Sequence, residues 1–237
     1  MGQVVSGLTP RARAFLDTWG RRSPRIAPVV ASGSPEWARQ VVLAHEEEFG
    51  GLLFPVLGGE LSGWIRLGTR TSRIRTSSAG ELIFNFAEPQ FVQCGLVCRV
   101  DGYFGVSWSE EFLPWHADAR RLIESSAMWA GLVGWRTSAL CDGKPDDALA
   151  VLRGLHPEEC GSSRETAWWR GDDIAVHVEP HLTYLPEGSS RVHVLTSGSE
   201  ADRRVKRALE EAAKAGADLL VRPQNGSVAA PEESPFH

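Results

Sequence analysis

Glu46-Glu47-Glu48-Phe49-Gly50-Gly51-Leu52-Leu53-Phe54 is the stretch that decides the fold of this chain. An acidic, amphipathic helix end runs into a glycine pair, and an apolar strand begins at once. Lacking a Cβ, Gly50 and Gly51 let the chain reverse from helix to strand where a larger side chain would clash. Upstream, Ser34-Pro35 reads as the start of that helix, and Trp37, Val41 and Ala44, with Val42 and Phe49, give it one buried face. His45 and Glu46 to Glu48 fall mostly on the other face. Earlier still, Thr9-Pro10 opens a first helix as N-cap and first-turn proline, with Phe15, Leu16 and Trp19 as its apolar stripe. Gly20 is expected to stop it in the left-handed conformation. A basic, proline-containing linker spans 21–28.

Downstream of the glycine pair the pattern changes to strands at 52–56, 64–69, 82–86, 91–100 and 103–108. Asp101-Gly102 is the clearest turn and joins the last two as a hairpin. Helical spacing returns over 117–128, with Leu122, Ile123 and Ala127 inward and Arg120, Arg121 and Glu124 outward. A short helix lies within 145–154. Trp168-Trp169-Arg170-Gly171-Asp172-Asp173 makes a turn between two strands, and 174–178 alternates apolar and polar residues. Residues 191–195 pair with 182–185 across 186–190. A last helix over 200–215, closed by Gly216, precedes a short strand at 219–221. The polar, proline-rich end from Asn225 reads as a disordered tail. These elements define an α+β fold, an antiparallel or mixed sheet flanked by helices with a C-terminal helical extension. The expected organisation is one domain over 9–195, a helix and strand packed on it over 196–222, and a tail over 223–237.

Bulk properties narrow the function classes. The chain has 237 residues, 42% hydrophobic and 23% charged, which is ordinary for a soluble globular protein with ample core. There is no apolar run of about 18 residues, so no membrane span is expected, and the N-terminus lacks the charged-then-apolar order of a signal peptide. Cys94, Cys98, Cys141 and Cys160 show no CxxC spacing, which points to a reduced, cytoplasmic protein without a structural zinc site built on thiolates. The net charge of −5 gives phosphate no general attraction. Arg66, Arg70, Arg73 and Arg75 cluster, as a solvated edge strand would carry them, and nucleic acid is not an expected partner.

Two helices, the glycine pair, a largely antiparallel sheet and a helix carrying Leu122-Ile123-Glu124-Ser125-Ser126-Ala127 together resemble the SUKH superfamily of bacterial proteins. The similarity extends into Thr166-Ala167-Trp168-Trp169-Arg170-Gly171-Asp172 and covers residues 9–195. Many members are immunity proteins that bind and neutralise toxins, often nucleases. The resemblance therefore implies a non-catalytic protein-binding module with a toxin-like partner, no catalytic residues and no cofactor.

Two constellations bear on function. Glu46, Glu47 and Glu48, with Glu110 and Glu111, make acidic clusters that suit a partner-facing surface, with Trp115 and Trp129 as aromatic anchors. Solvated charge at a helix end and a turn is the plainer account. Trp37, Trp64 and Trp108 lie on apolar faces and read as core, whereas Trp115, Trp135 and Trp168 sit beside proline, glycine or polar residues, as half-exposed side chains do. The second constellation is His177, Glu179, His181 and His193, all odd-numbered. On continuous strands the first three share a face, and a hairpin closing over 186–190 brings His193 next to His181. Such a set suits a divalent metal with open positions, and it supports the alternative of a metal-dependent enzyme or accessory factor of a biosynthetic cluster. Pro180 counts against it by interrupting the strand, and solvated hairpin histidines are the plainer account. Nucleophile elbows, phosphate loops and dinucleotide fingerprints are absent from the sequence.

Overall fold

The computed structural model describes residues 5–24, 28–30, 33–59, 61–69, 71–89, 94–108, 110–182, 190–224 and 226–232. The chain divides into two compact units, Met1–Ala127 with Pro231–His237, and Met128–Ala230. The expected single domain over 9–195 is therefore corrected. The C-terminal helix and strand complete the second unit, because its sheet and helices close a core of their own.

The first unit contains α1 (Pro10–Trp19), β1 (Arg21–Arg22), β2 (Val29–Val30), α2 (Glu36–Phe49), β3 (Leu52–Val56), β4 (Gly63–Leu67), β5 (Thr71–Ser72), β6 (Ile74–Thr76), β7 (Leu82–Pro89), β8 (Gly95–Arg99), β9 (Phe104–Trp108), β10 (Glu111–His116) and α3 (Ala119–Ala130), within which the division falls. Its antiparallel sheet runs β1-β3-β4-β7-β8-β9-β10, with β6 also on β7, while β2 and β5 form a separate parallel pair. The hairpin at Asp101-Gly102 forms as its sequence dictates, with Cys98 opposite Phe104 and Gly102 at φ +105°. β10 was not expected, since Pro114 interrupts its alternation. It lies at the sheet's edge, where a missing N–H is tolerated.

The glycine pair works as read, with a change of partner. Gly50 ends α2 in an extended conformation, and Gly51 is the residue in the left-handed region at φ +76°. α2 itself is rotated from expectation: it buries Ala38, Val42, Glu46 and Phe49, and exposes Trp37 and Ala44. The cause is Glu46, whose Oε1 accepts the buried N–H of Thr69 at 2.8 Å. A Cβ on Gly68 would stand 2.5 Å from Oε2 of the same carboxylate. The acid therefore needs the inward position, and it ties the helix end to the turn after β4. From the same helix, His45 and Phe49 meet Phe84 and Phe86 in edge-to-face contacts at 5.4–6.1 Å, and are themselves tilted at 41° and 6.2 Å.

Glu124 corrects a second expectation. It is buried, not outward, and its carboxylate accepts from the N–H and Oγ1 of Thr9, each at 2.7 Å. Thr9 in turn caps α1 by accepting from the Ala12 N–H at 3.2 Å. A negative charge at a helix N-terminus is favourable for the helix dipole. Gly20 closes α1 with φ −68°, extended and not left-handed.

The second unit contains β11 (Arg136–Gly143), α4 (Pro145–Val151), β12 (His156–Glu158), β13 (Ala167–Arg170), β14 (Ile174–Pro180), β15 (Ser190–Thr196), α5 (Ser199–Lys214) and β16 (Leu219–Pro223). They pair antiparallel in the order β12-β13-β14-β15-β11-β16. Even-numbered residues of β14 and β15 (Ile174, Val176, Val178, Val192, Val194) face Val205 and Leu209 of α5 and Ala148 of α4. The odd-numbered residues face the opposite side. Beyond β16, where a disordered tail was expected, the described residues make specific contacts. Val228 is buried and exchanges backbone hydrogen bonds with Gly134 and Trp135, and in the first unit the Trp64 indole donates to the Glu232 carbonyl at 3.0 Å. The remainder of that expected tail, Asn225 and 233–237, lies outside the described residues, as do Arg70 and the turn at 186–189. Among the described residues no helix is long and apolar enough to cross a membrane.

Candidate functional site

The expected acidic and aromatic surface is dispersed. Glu46 is buried under the turn after β4, as described above. Glu48 is half-buried, paired with Arg120 and accepting from Ser6 Oγ at 3.0 Å. Glu47, Glu110 and Glu111 are exposed. Trp115 and Trp129 are 3% and 4% exposed, so neither can anchor a partner from the surface. Trp115 points inward because the β9–β10 register shifts between Pro114 and His116, and its ring lies 6.4 Å from Phe104. Of the tryptophans read as half-exposed, Trp168 is fully buried and Trp135 is half-buried under the Arg170 guanidinium.

What reaches solvent is the stripe once read as buried. Trp37 is 57% exposed, with half-buried Val41 and exposed Ala44 along the same side of α2. Leu43, Glu36, Gln40 and Glu47 complete the helix's outer surface. Nothing in the spacing alone distinguishes this face from a core-facing one.

The histidine constellation converges in the second unit with an altered membership. β14 and β15 pair so that His177 lies directly opposite His193, and Glu179 lies two residues along the same face as His177. The expected pairing of His193 with His181 is corrected. The β14–β15 register runs from Ile174 opposite Thr196 to Pro180 opposite Ser190, which leaves His181 beyond the paired strand. His193 Nε2 lies 2.8 Å from Glu179 Oε1. One ligand atom from each of His177, Glu179 and His193 lies within 4.8 Å of the others, and all three residues are buried. His181 stands apart, with Nε2 3.2 Å from Asp142 Oδ1 in a separate polar cluster that Arg191 and Arg222 join. Asp142 lies on β11, whose polar residues give the sequence no apolar alternation to mark it as a strand.

Aromatic rings wall the His177–Glu179–His193 cluster. Trp168, paired across the strands with His177, has its ring 4.3 Å from the imidazole at 31°, and Trp129 approaches edge-on at 5.4 Å from His177 and 5.7 Å from His193. Among the described residues neither nitrogen of His177 has a hydrogen-bond partner, though both are buried. Leaving such a group unsatisfied costs about 1–3 kcal/mol. Burial pushes the His177 pKa down to about 3, against the opposing pull of the Glu179 carboxylate, so the ring is neutral at physiological pH. A neutral imidazole offers a lone pair. Chemically the cluster can hold a cation or relay a proton between His193 and Glu179.

No family model matches the chain, and neither a curated protein nor a solved structure matches it.

Proposed function

We propose that the chain is a non-catalytic protein-binding module of the SUKH type, an immunity protein that neutralises a nuclease-type toxin by stoichiometric binding. The observation that carries this reading is the outward-facing apolar stripe of α2, Trp37-Val41-Ala44, on a surface that also bears Glu36 and Glu47. A large exposed indole on a helix is a binding feature more often than a packing one, and interface energy concentrates in tryptophan. The order of elements in the first unit, two helices, an antiparallel sheet and a helix, also agrees with what the resemblance implies. The acidic residues of the α2 face and the net charge of −5 favour encounter with a basic nuclease.

The test mixes the full chain with the products of neighbouring reading frames, beginning with any polymorphic toxin, and reads complex formation by calorimetry and gel filtration. The expected outcome is a one-to-one complex whose Kd rises at least about tenfold in Trp37→Ala. The melting temperature should stay put, because Trp37 is exposed. Affinity unchanged in both Trp37→Ala and the Glu36→Lys/Glu47→Lys double variant would remove the support for this face. A second reading, a metal-dependent enzyme or accessory factor of a biosynthetic cluster, is favoured by the convergence of His177, Glu179 and His193. It requires a turnover that His177→Ala abolishes.

A further inference from the structure

We infer that His177, Glu179 and His193 form a binding site for a single divalent transition-metal ion, zinc by its chemistry, that clips β14 to β15. The inference is independent of the protein-binding reading, which concerns α2 of the other unit.

Four observations converge. Cross-strand pairing fixes His177 opposite His193, and the strand period brings Glu179 to the same face, so the backbone positions all three donors. The donor set, two imidazoles and a carboxylate, is one that zinc takes readily. His177 is 2% exposed, both its ring nitrogens lack a hydrogen-bond partner among the described residues, and a metal bond would satisfy one of them. Its ring is packed between Trp168 and Trp129, and an indole supplies no lone pair to bond an imidazole N–H.

The approach needed is small. Bonds of about 2.0–2.2 Å place tetrahedral ligand atoms roughly 3.3–3.6 Å apart. The ligand atoms all lie within 4.8 Å of one another, so closure needs an approach of at most about 1.5 Å. His181 is not a ligand in this assignment, since it faces Asp142. The thiols do not contribute: burial raises the Cys141 pKa to about 12, and Cys141 lies on the sheet's other face among apolar side chains.

The test uses the untagged full-length chain, stripped with a chelator, dialysed against zinc or cobalt(II), and freed of excess metal by gel filtration. The expected result is about one zinc retained per chain by elemental analysis, with a higher melting temperature. Cobalt should give ligand-field bands of a nitrogen–oxygen site without thiolate charge transfer. His193→Ala and Glu179→Gln should each weaken retention at least about tenfold, whereas His181→Ala should leave it unchanged. Because His177→Ala opens a cavity beside Trp168, His177→Phe serves as its folded counterpart, filling the same stack without a nitrogen. A folded His177→Phe protein that retains zinc would overturn the assignment. So would wild-type protein that holds less than about a tenth of an equivalent.

Discussion

Replacing Glu46 by alanine tests the claim that the most conspicuous acid of the chain is structural. In the wild type its Oε1 accepts the Thr69 N–H at 2.8 Å, with both groups buried. Alanine leaves that donor without its carboxylate, at a cost of about 1–3 kcal/mol, and removes buried side-chain volume between Gly50 and Gly68. Together these amount to about 2–4 kcal/mol. At roughly 3–4 °C per kcal/mol for a unit of this size, the melting temperature should fall by about 6–16 °C. Glu47→Ala, one residue along on the exposed face, should stay within about 0.5 kcal/mol of wild type. Glu46→Gln keeps an acceptor oxygen and should fall between them. Thermal and urea melts followed by circular dichroism give the magnitudes, and hydrogen exchange at the Thr69 amide gives the local readout. If Glu46→Ala melts with Glu47→Ala and leaves Thr69 protected, the structural assignment of this carboxylate is wrong.

Gly68 and Gly80 share a left-handed φ, +85° and +82°, but only Gly68 has the Glu46 carboxylate where a Cβ would go. Gly68→Ala should therefore cost about 2–4 kcal/mol and Gly80→Ala about 1 kcal/mol, and equal losses in urea melts would contradict the close packing described. His45 is held below its usual pKa of 6.5 by burial among phenylalanines, while its Nδ1–H bond to the Val41 carbonyl and the Glu48 charge oppose the shift. Since the unfolded chain binds this proton more readily, the contribution of neutral His45 is complete above about pH 6.5. It is lost as pH falls through the folded value, with a slope of at most about 1.4 kcal/mol per pH unit. The stability difference between wild type and His45→Phe should thus change between about pH 8 and about pH 5.5; a constant difference would show that His45 does not titrate in this way.

Much of the fold was legible where backbone chemistry speaks directly. Asp101-Gly102 specified a hairpin and Thr9-Pro10 a helix start, because turn and cap residues act locally. The face of α2 was not legible. Hydropathy places Trp37 inside and Glu46 outside, yet a buried N–H at Thr69 reverses both, and that donor is 23 residues away. β11 carries Arg136, Thr137, Ser138 and Asp142, too polar to read as the interior strand it is. The histidine cluster was half visible. Alternation puts His177 and Glu179 on one face, but the choice of His193's neighbour depends on the register of β14 against β15, which alternation alone does not fix.

The Trp64 indole bonded to the Glu232 carbonyl has a consequence for biosynthesis. Because the segment from Pro231 returns to the first unit, that unit stays incomplete on the ribosome until the residues that follow the second unit have emerged. The intervening unit, contiguous from Met128 to Ala230, can fold as soon as it is extruded, before its neighbour is complete.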